Sequence, residues 1–140
     1  MLWLYTTDLI VAEIQNTRQR EKVEELINAG ILEVLSLESD EFTEIYTIRE
    51  ENSGLTIEDY SVWFAARKYK GTLLTRDVRL RKQASEHGID VRGILYVFDE
   101  LVNNGILDKQ TARTKLMDLR TMNPRFPEKE INARLRLWKK

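Results

Sequence analysis

Short apolar runs alternate with segments of helical periodicity along the first hundred residues, and this alternation constrains the fold more than any other feature. The runs that favour strands are LWLYTTD from Leu2, ILEVLSL from Ile31, TLLT from Thr72 and the start of IDVRGILYV at Ile89. Strands that alternate with helices are typical of a mainly parallel sheet with helices on its faces. We therefore predict a three-layer α/β fold.

Start and stop signals place the helices between these strands. One helix is expected from Leu9 to about Asn28, with Gly30 after its end, and another begins at Ser39. Thr56 is an N-cap candidate for a helix whose buried face we assign to Val62, Ala65, Ala66 and Tyr69. A further helix follows TLLT, with Leu80 and Ala84 as its apolar contacts.

The C-terminal third is expected to be helical. Asp108 is a cap for a helix through Leu116 and Leu119, and Pro127 opens a last helix with Ile131, Leu135 and Trp138 at helical spacing. We predict a single domain over residues 1–140, with residues 106–140 as a helical extension that packs into the core. A homodimer through the same apolar residues is the alternative.

The composition bounds the class of protein. With 42% hydrophobic residues the chain can form a sizeable core, and its lack of cysteine excludes disulfides and thiolate metal sites. The N-terminal MLWLY does not have the pattern of a signal peptide, and no apolar run approaches the roughly 20 residues of a membrane helix. We expect a soluble, cytoplasmic protein that has no contact with a membrane.

The net charge of −1 results from two halves of opposite sign. Residues 1–60 contain 4 Lys/Arg and 14 Asp/Glu, whereas residues 61–140 contain 18 and 9. The two halves either form solvated faces that attract each other or provide a basic surface for a polyanion beside an acidic pocket.

Four acidic residues are candidates for a ligand site: Asp8, Glu13, Asp59 and Asp77. Asp8 and Asp77 directly follow expected strands, at the edge where α/β sheets bind ligands, and Glu13 and Asp59 lie on helices. Each has a structural alternative, because Asp8, Asp59 and Asp77 can cap helices and Glu13 can lie at a helix rim. If they converge, their repulsion favours protonation or a divalent cation, and magnesium suits such oxygen ligands. The single histidine, His87, is interpreted as a helix C-cap.

Residues 55–101, from LTIEDYSVWFAARKY through GTLLTRD to the segment RKQASEHGIDVRG and beyond, resemble the second half of a PIN domain. The segment TTDLIVAEI resembles the family's region around its helical acid. This resemblance covers roughly Thr6 to Leu101 and implies a metal-dependent ribonuclease. Some members of the family are toxins paired with an antitoxin protein.

The resemblance also implies roles for individual residues. Glu13, Asp59 and Asp77 match acids that hold one or two Mg²⁺ or Mn²⁺ ions, and Thr75 matches a hydroxyl that helps order the site. The implied reaction is hydrolysis of an RNA phosphodiester by a metal-activated water, with phosphate contacts from Arg76, Arg79 and Arg81. Each arginine can instead belong to a solvated helix face.

The chain departs from the family pattern at its start. The strand with a following Asp and Thr or Ser that usually opens a PIN domain has no match, so the domain is expected to be incomplete at its N-terminus. A sheet without that strand would have a gap in its middle, which a strand exchanged between chains could fill. The alternatives to a nuclease are a non-catalytic PIN-like module that binds RNA or protein, and an unrelated doubly wound binding domain.

Overall fold

The computed structural model describes residues 3–123 and 125–139 and contains alternating strands and helices. The strands are β1 (Leu4–Thr7), β2 (Leu32–Leu35), β3 (Leu73–Leu74) and β4 (Val91–Arg92). In the same described part of the chain the helices are α1 (Asp8–Glu13), α2 (Thr17–Asn28), α3 (Ser39–Glu51), α4 (Ile57–Tyr69), α5 (Val78–Glu86), α6 (Ile94–Asn103), α7 (Lys109–Met122) and α8 (Glu128–Leu137). The first expected strand began at Leu2, which lies outside the described residues.

All four strands pair in parallel, in two separate pairs. β1 pairs with β2 from Leu4 opposite Leu32 to Thr7 opposite Leu35, and β3 pairs with β4. Parallel neighbours joined through helices confirm the α/β class predicted from the alternation. Within residues 3–123 and 125–139, each of the four strands has only one paired edge.

The chain divides into two compact units, and the first extends to Arg92. Its core is formed by apolar side chains of α3, α4, β3 and α5: Ile45, Ile48, Tyr60, Trp63, Phe64, Leu73, Leu80 and Ala84. α4 packs against α3, α1, β1 and β3, so it is the element that the rest of this unit surrounds.

The second unit, residues 93–140, consists of α6, α7 and α8 in its described part. It has its own core of Phe98, Ala112, Leu116, Ile131 and Trp138. A bidentate ion pair links α8 to α6. Arg134 Nε and Nη2 each donate to one Asp99 carboxylate oxygen at 2.8 Å. This hydrogen bonding raises the pKa of Arg134. The helical C-terminal part was predicted correctly, and the single-domain boundary remains a prediction.

The prediction of a single helix from Leu9 to about Asn28 was wrong, because this segment forms two helices. Residues 14–16 are not helical, and Asn16 instead begins a new helix by accepting a hydrogen bond from the Gln19 N–H at 3.0 Å. Asparagine side chains compete for backbone donors in this way, which favours caps over helix interiors.

The prediction of the buried face of α4 was only partly correct, because Val62 and Ala66 pack against the core but are not its most buried side chains. The buried side chains are Tyr60, Ser61, Trp63 and Phe64, whereas Tyr69 is 52% exposed and the other expected residues are only partly buried. Because α4 has neighbours on several sides, periodicity alone does not select one face.

TLLT is only partly the buried strand that was expected. Leu73 is 5% exposed and packs in the core of the first unit, but Leu74 lies on the opposite face of the strand and is 41% exposed. No helix in the described part of the chain combines the length and the apolar character that crossing a bilayer requires.

Candidate functional site

Two buried hydroxyl groups fix the direction of β1 against α4. Thr7 Oγ1 and Ser61 Oγ are 2.9 Å apart, and both residues are fully buried. At the other end of β1, the Tyr5 ring stacks on Tyr69 with centroids 5.9 Å apart. Since Ser61 is near the start of α4 and Tyr69 is its last residue, β1 runs antiparallel to α4. Its carboxyl end therefore lies at the amino-terminal end of this helix.

These hydroxyls belong to one directed chain of hydrogen bonds. The Ser61 hydroxyl donates to the Glu58 carbonyl at 2.6 Å, so Thr7 must be the donor to Ser61. The Thr7 oxygen in turn accepts from the Ile10 N–H at 3.3 Å and thereby caps α1. The start of α1 is thus linked to the first turns of α4.

β3 also ends at the amino-terminal end of α4. After α4 the chain turns through Lys70, which has a left-handed conformation, and enters β3. The helix that follows, α5, contacts the loop that precedes α4, because Gln83 Nε2 donates to the Ser53 carbonyl at 3.0 Å. The carboxyl ends of two strands, one from each pair, consequently lie at the same end of one helix, where α/β proteins bind ligands.

Asp59 lies in the first turn of α4 and closes a capping box. Its Oδ2 accepts from the Thr56 N–H at 3.3 Å, and its own N–H donates to Thr56 Oγ1 at 3.2 Å. Asp59 therefore caps the start of α4, which is the structural role that its sequence position indicated. One carboxylate oxygen, Oδ1, has no hydrogen bond from the described residues, so the cap leaves it available to a ligand.

Asp77 is the N-cap of α5, which is the structural role predicted for it from the sequence. Its Oδ1 accepts from the Leu80 N–H at 3.0 Å, and its N–H donates to Thr75 Oγ1 at 3.1 Å. Thr75 is held to β4 through the Arg92 carbonyl, which accepts from the Thr75 N–H at 3.1 Å. Thr75 therefore orients the exposed Asp77 carboxylate relative to the end of β3.

Glu13 is the last residue of α1, and its side chain is exposed. α1 begins at the carboxyl end of β1 and packs against α4. Within the described residues Glu13 has no ion pair, so its carboxylate is not committed to a structural role there. The three arginines expected to contact phosphate, Arg76, Arg79 and Arg81, are all exposed near or on α5.

Asp8 has an environment that its sequence position did not reveal. It was expected to cap α1, but Thr7 is the cap and Asp8 is the first residue of the helix. Its Oδ1 is buried and has no hydrogen-bond partner among the described residues. A buried carboxylate oxygen without a donor is costly, and a cation is one group that would satisfy it.

The carboxylates of Asp8, Glu13, Asp59 and Asp77 are suitable oxygen ligands for a hard cation. Magnesium takes oxygen ligands and is often held by one or two carboxylates with several waters. Among residues 3–123 and 125–139, however, no three His, Cys, Asp or Glu side chains are grouped as the ligands of one ion. The grouping of Glu13, Asp59 and Asp77 remains a prediction.

The comparison with known families concerns the chain as a whole. A family model described as PIN domain matches residues 3–140, which is almost the whole chain. A search of curated proteins gives no match.

Proposed function

Because the chain belongs to the PIN-domain family, whose members are generally nucleases, we propose that it is a metal-dependent ribonuclease that hydrolyses RNA phosphodiesters. The observation that supports this proposal best is the position of two strand ends beside the first turn of α4. Asp59 is in that turn, and Asp77 follows β3 by three residues. Acids from separate segments are thereby directed to one end of the unit.

Glu13, Asp59 and Asp77 would hold Mg²⁺ or Mn²⁺ through their carboxylates. The ion, when bound, would activate a water molecule and polarise the scissile phosphate. Thr75 keeps the Asp77 backbone in place through the hydrogen bond at 3.1 Å, and Thr56 does the same for Asp59. Both ligands would then be positioned before the ion binds, which reduces the cost of organising the site.

Positive charge for the RNA backbone would come from Arg76, Arg79 and Arg81. These residues surround the start of α5, and Asp77 is the cap of that helix. Contacts with phosphates make binding dependent on salt concentration. We further propose that the protein acts in the cytoplasm as the toxin of a toxin–antitoxin pair, in which an antitoxin protein would cover the site.

The test is RNA cleavage by the wild-type chain and by Asp77→Asn in the presence of Mn²⁺. Asparagine caps helices as well as aspartate does, so the variant should keep α5 and lose only the charge. Changing a residue that only orients a metal ligand typically reduces activity by about 10- to 100-fold. Loss of a ligand itself should therefore reduce cleavage by at least about 100-fold.

The matched control is Asp108→Asn. Asp108 caps α7 in the second unit by accepting from the Thr111 N–H at 2.8 Å, which is the same local geometry. This variant should cleave RNA at the wild-type rate. If Asp77→Asn also cleaves at that rate, the assignment of Asp77 as a metal ligand is wrong.

A second function, a non-catalytic PIN-like module that binds RNA, is favoured by the lack of a grouped set of three acids in the described part of the chain. It predicts RNA binding that neither Mn²⁺ nor Asp77→Asn changes. Titration of Mn²⁺ into the wild-type protein distinguishes the two functions, because only the nuclease binds the ion at Asp77.

A further inference from the structure

Two arginines of α7 bind α8 and fix the direction of these two helices relative to each other. Arg113 Nε donates to the Leu135 carbonyl at 3.1 Å, and Arg120 Nη1 donates to Asn132 Oδ1 at 2.9 Å. Because the later residue of α7 contacts the earlier residue of α8, the two helices run antiparallel. The start of α7 therefore lies beside the end of α8.

A third cation of α7 belongs to the side that faces α8. Lys109 precedes Arg113 by four residues, and Arg120 follows Arg113 by seven. Side chains at these spacings lie along one face of a helix. The face of α7 toward α8 consequently carries three positive charges along most of its length.

α8 adds two cations at its end. Arg136 follows Asn132 by four residues and so lies on the side of α8 that faces α7. Lys139 comes three residues later, and its N–H donates to the Arg136 carbonyl at 3.3 Å, which extends the last turn. We define the basic seam as the five cations along this junction: Lys109, Arg113, Arg120, Arg136 and Lys139.

The cations of the basic seam have no ion-pair partners in the described part of the chain, whereas five cations outside the seam do. The carboxylate of Asp108, next to Lys109, accepts two hydrogen bonds from Thr111. Asp118 is two residues from Arg120 and therefore lies on the opposite side of α7. The acids of α8 are in its first turn, at the other end from the last cations of the seam. The start of α7 and the end of α8 thus form a surface of positive charge.

Arg113 and Arg120 are held in a position to bind an anion. Each guanidinium group has five N–H donors and uses one of them on α8. Both residues are partly exposed, so the remaining donors are open to a ligand in the solvent. Because the bond to α8 orders each side chain in advance, less conformational entropy is lost on binding. Guanidinium groups bind phosphate through two parallel hydrogen bonds, so phosphate is a well-matched ligand.

The length of the basic seam favours a polyanion over a single small anion. Eleven residues separate Lys109 from Arg120, which is about 16.5 Å along the helix. A stacked nucleic acid strand has one phosphate for about every 3.4 Å, so such a strand brings several phosphates to the row of cations. We propose that the basic seam binds the phosphate backbone of RNA without regard to the base sequence. The choice of RNA as the polyanion rests on the proposed function.

The experiment measures binding of the full chain to a fluorescently labelled single-stranded RNA by anisotropy, in EDTA so that metal-dependent cleavage is excluded. The seam variant carries Lys109→Gln, Arg136→Gln and Lys139→Gln at three exposed positions. Each phosphate contact contributes about 0.7 to the slope of the logarithm of the association constant against the logarithm of the salt concentration. The slope should therefore fall by about 2, and the affinity at about 0.1 M salt by at least about tenfold.

The matched control removes the same charge elsewhere. Arg18→Gln and Lys22→Gln lie on α2, and Lys115→Gln lies two residues from Arg113, on the opposite side of α7. The three substituted positions are exposed and have no ion pair in the described residues. The control variant should keep the affinity and the slope of the wild type.

A purely structural role for the seam cations predicts a different result. Arg136 and Lys139 lie at the carboxyl end of α8, where positive charge stabilises a helix. If that is their only role, the seam variant unfolds at a lower urea concentration but binds RNA with an unchanged slope. The indole NMR signal of Trp138, in the core of the second unit, follows this unfolding and shows whether the variant is folded in the binding assay.

Three results overturn the inference: no binding of RNA by the wild type, an unchanged slope in the folded seam variant, or an equal change in the control variant. Different affinities of the wild type for two unpaired RNAs of equal length overturn its independence of sequence. The outcome is separate from that of the nuclease proposal. Cleavage with seam-independent binding removes only the basic seam, and seam-dependent binding without cleavage in Mn²⁺ removes only the nuclease.

Discussion

The hydroxyl pair of Thr7 and Ser61 allows a quantitative test of how β1 is held at the amino-terminal end of α4. We consider Thr7→Val, which keeps the shape of the side chain and removes its hydroxyl group, together with Ser61→Ala. Both positions are fully buried and their oxygens are 2.9 Å apart. No water can replace the lost partner without a change in packing, so the cost should appear directly in the free energy of unfolding.

The magnitude follows from the hydrogen bonds that each variant loses. Thr7→Val removes the cap of α1, worth about 1 kcal/mol, and the bond to Ser61, worth about 1 kcal/mol, for a total of about 2 kcal/mol. Ser61→Ala removes the same shared bond and the bond to the Glu58 carbonyl, again about 2 kcal/mol. The double variant loses the shared bond only once, so the coupling free energy should be about 1 kcal/mol.

The assay is urea unfolding of the wild type, both single variants and the double variant, followed by the indole NMR signal of Trp63. This residue lies in the core of the first unit, so the signal reports on that unit alone. Thr114→Val is the control, because the Thr114 hydroxyl makes only a local bond to the Gln110 carbonyl of α7. Strictly additive effects of Thr7→Val and Ser61→Ala would refute the hydrogen-bond chain.

Two further predictions concern backbone exchange and pH. The Leu73 N–H donates to the Asp90 carbonyl at 2.8 Å and the Thr75 N–H to the Arg92 carbonyl at 3.1 Å, so the intervening Leu74 amide faces the other edge of β3. The Leu74 amide should exchange with deuterium faster than both, and equal protection would contradict the single pairing. The Thr111 N–H lowers the pKa of Asp108, so the cap should stabilise α7 above the ordinary aspartate range and lose its effect as the pH falls through the lowered value; a carboxyl NMR titration with a midpoint at or above the ordinary range would refute this.

Much of the local structure could be predicted from the sequence. Thr56, Asp77 and Asp108 each precede an apolar helical segment, and each caps a helix in the structure. Pro127 opens the last helix, and His87 ends α5. These features depend on contacts within about four residues, which a sequence displays directly.

The candidate site could be predicted only in part. Asp8 and Asp77 were found because they follow strands, and the roles of Glu13, Asp59 and Thr75 came from the family resemblance. The buried oxygen of Asp8 was missed, because it depends on Thr7 taking the role of cap. The contact between α5 and the loop before α4 was also missed, since Gln83 Nε2 donates to the carbonyl of Ser53, thirty residues away in the chain.

The sequence alone determined the α/β class and most of the helix caps, because these depend on periodicity and on short-range hydrogen bonds. Tertiary structure decided which faces of α4 are buried, that the strands form two parallel pairs, and that α5 contacts the loop before α4. The physical reason is that burial and hydrogen-bond partners at these positions come from segments that are distant in the chain, and only packing brings those segments together.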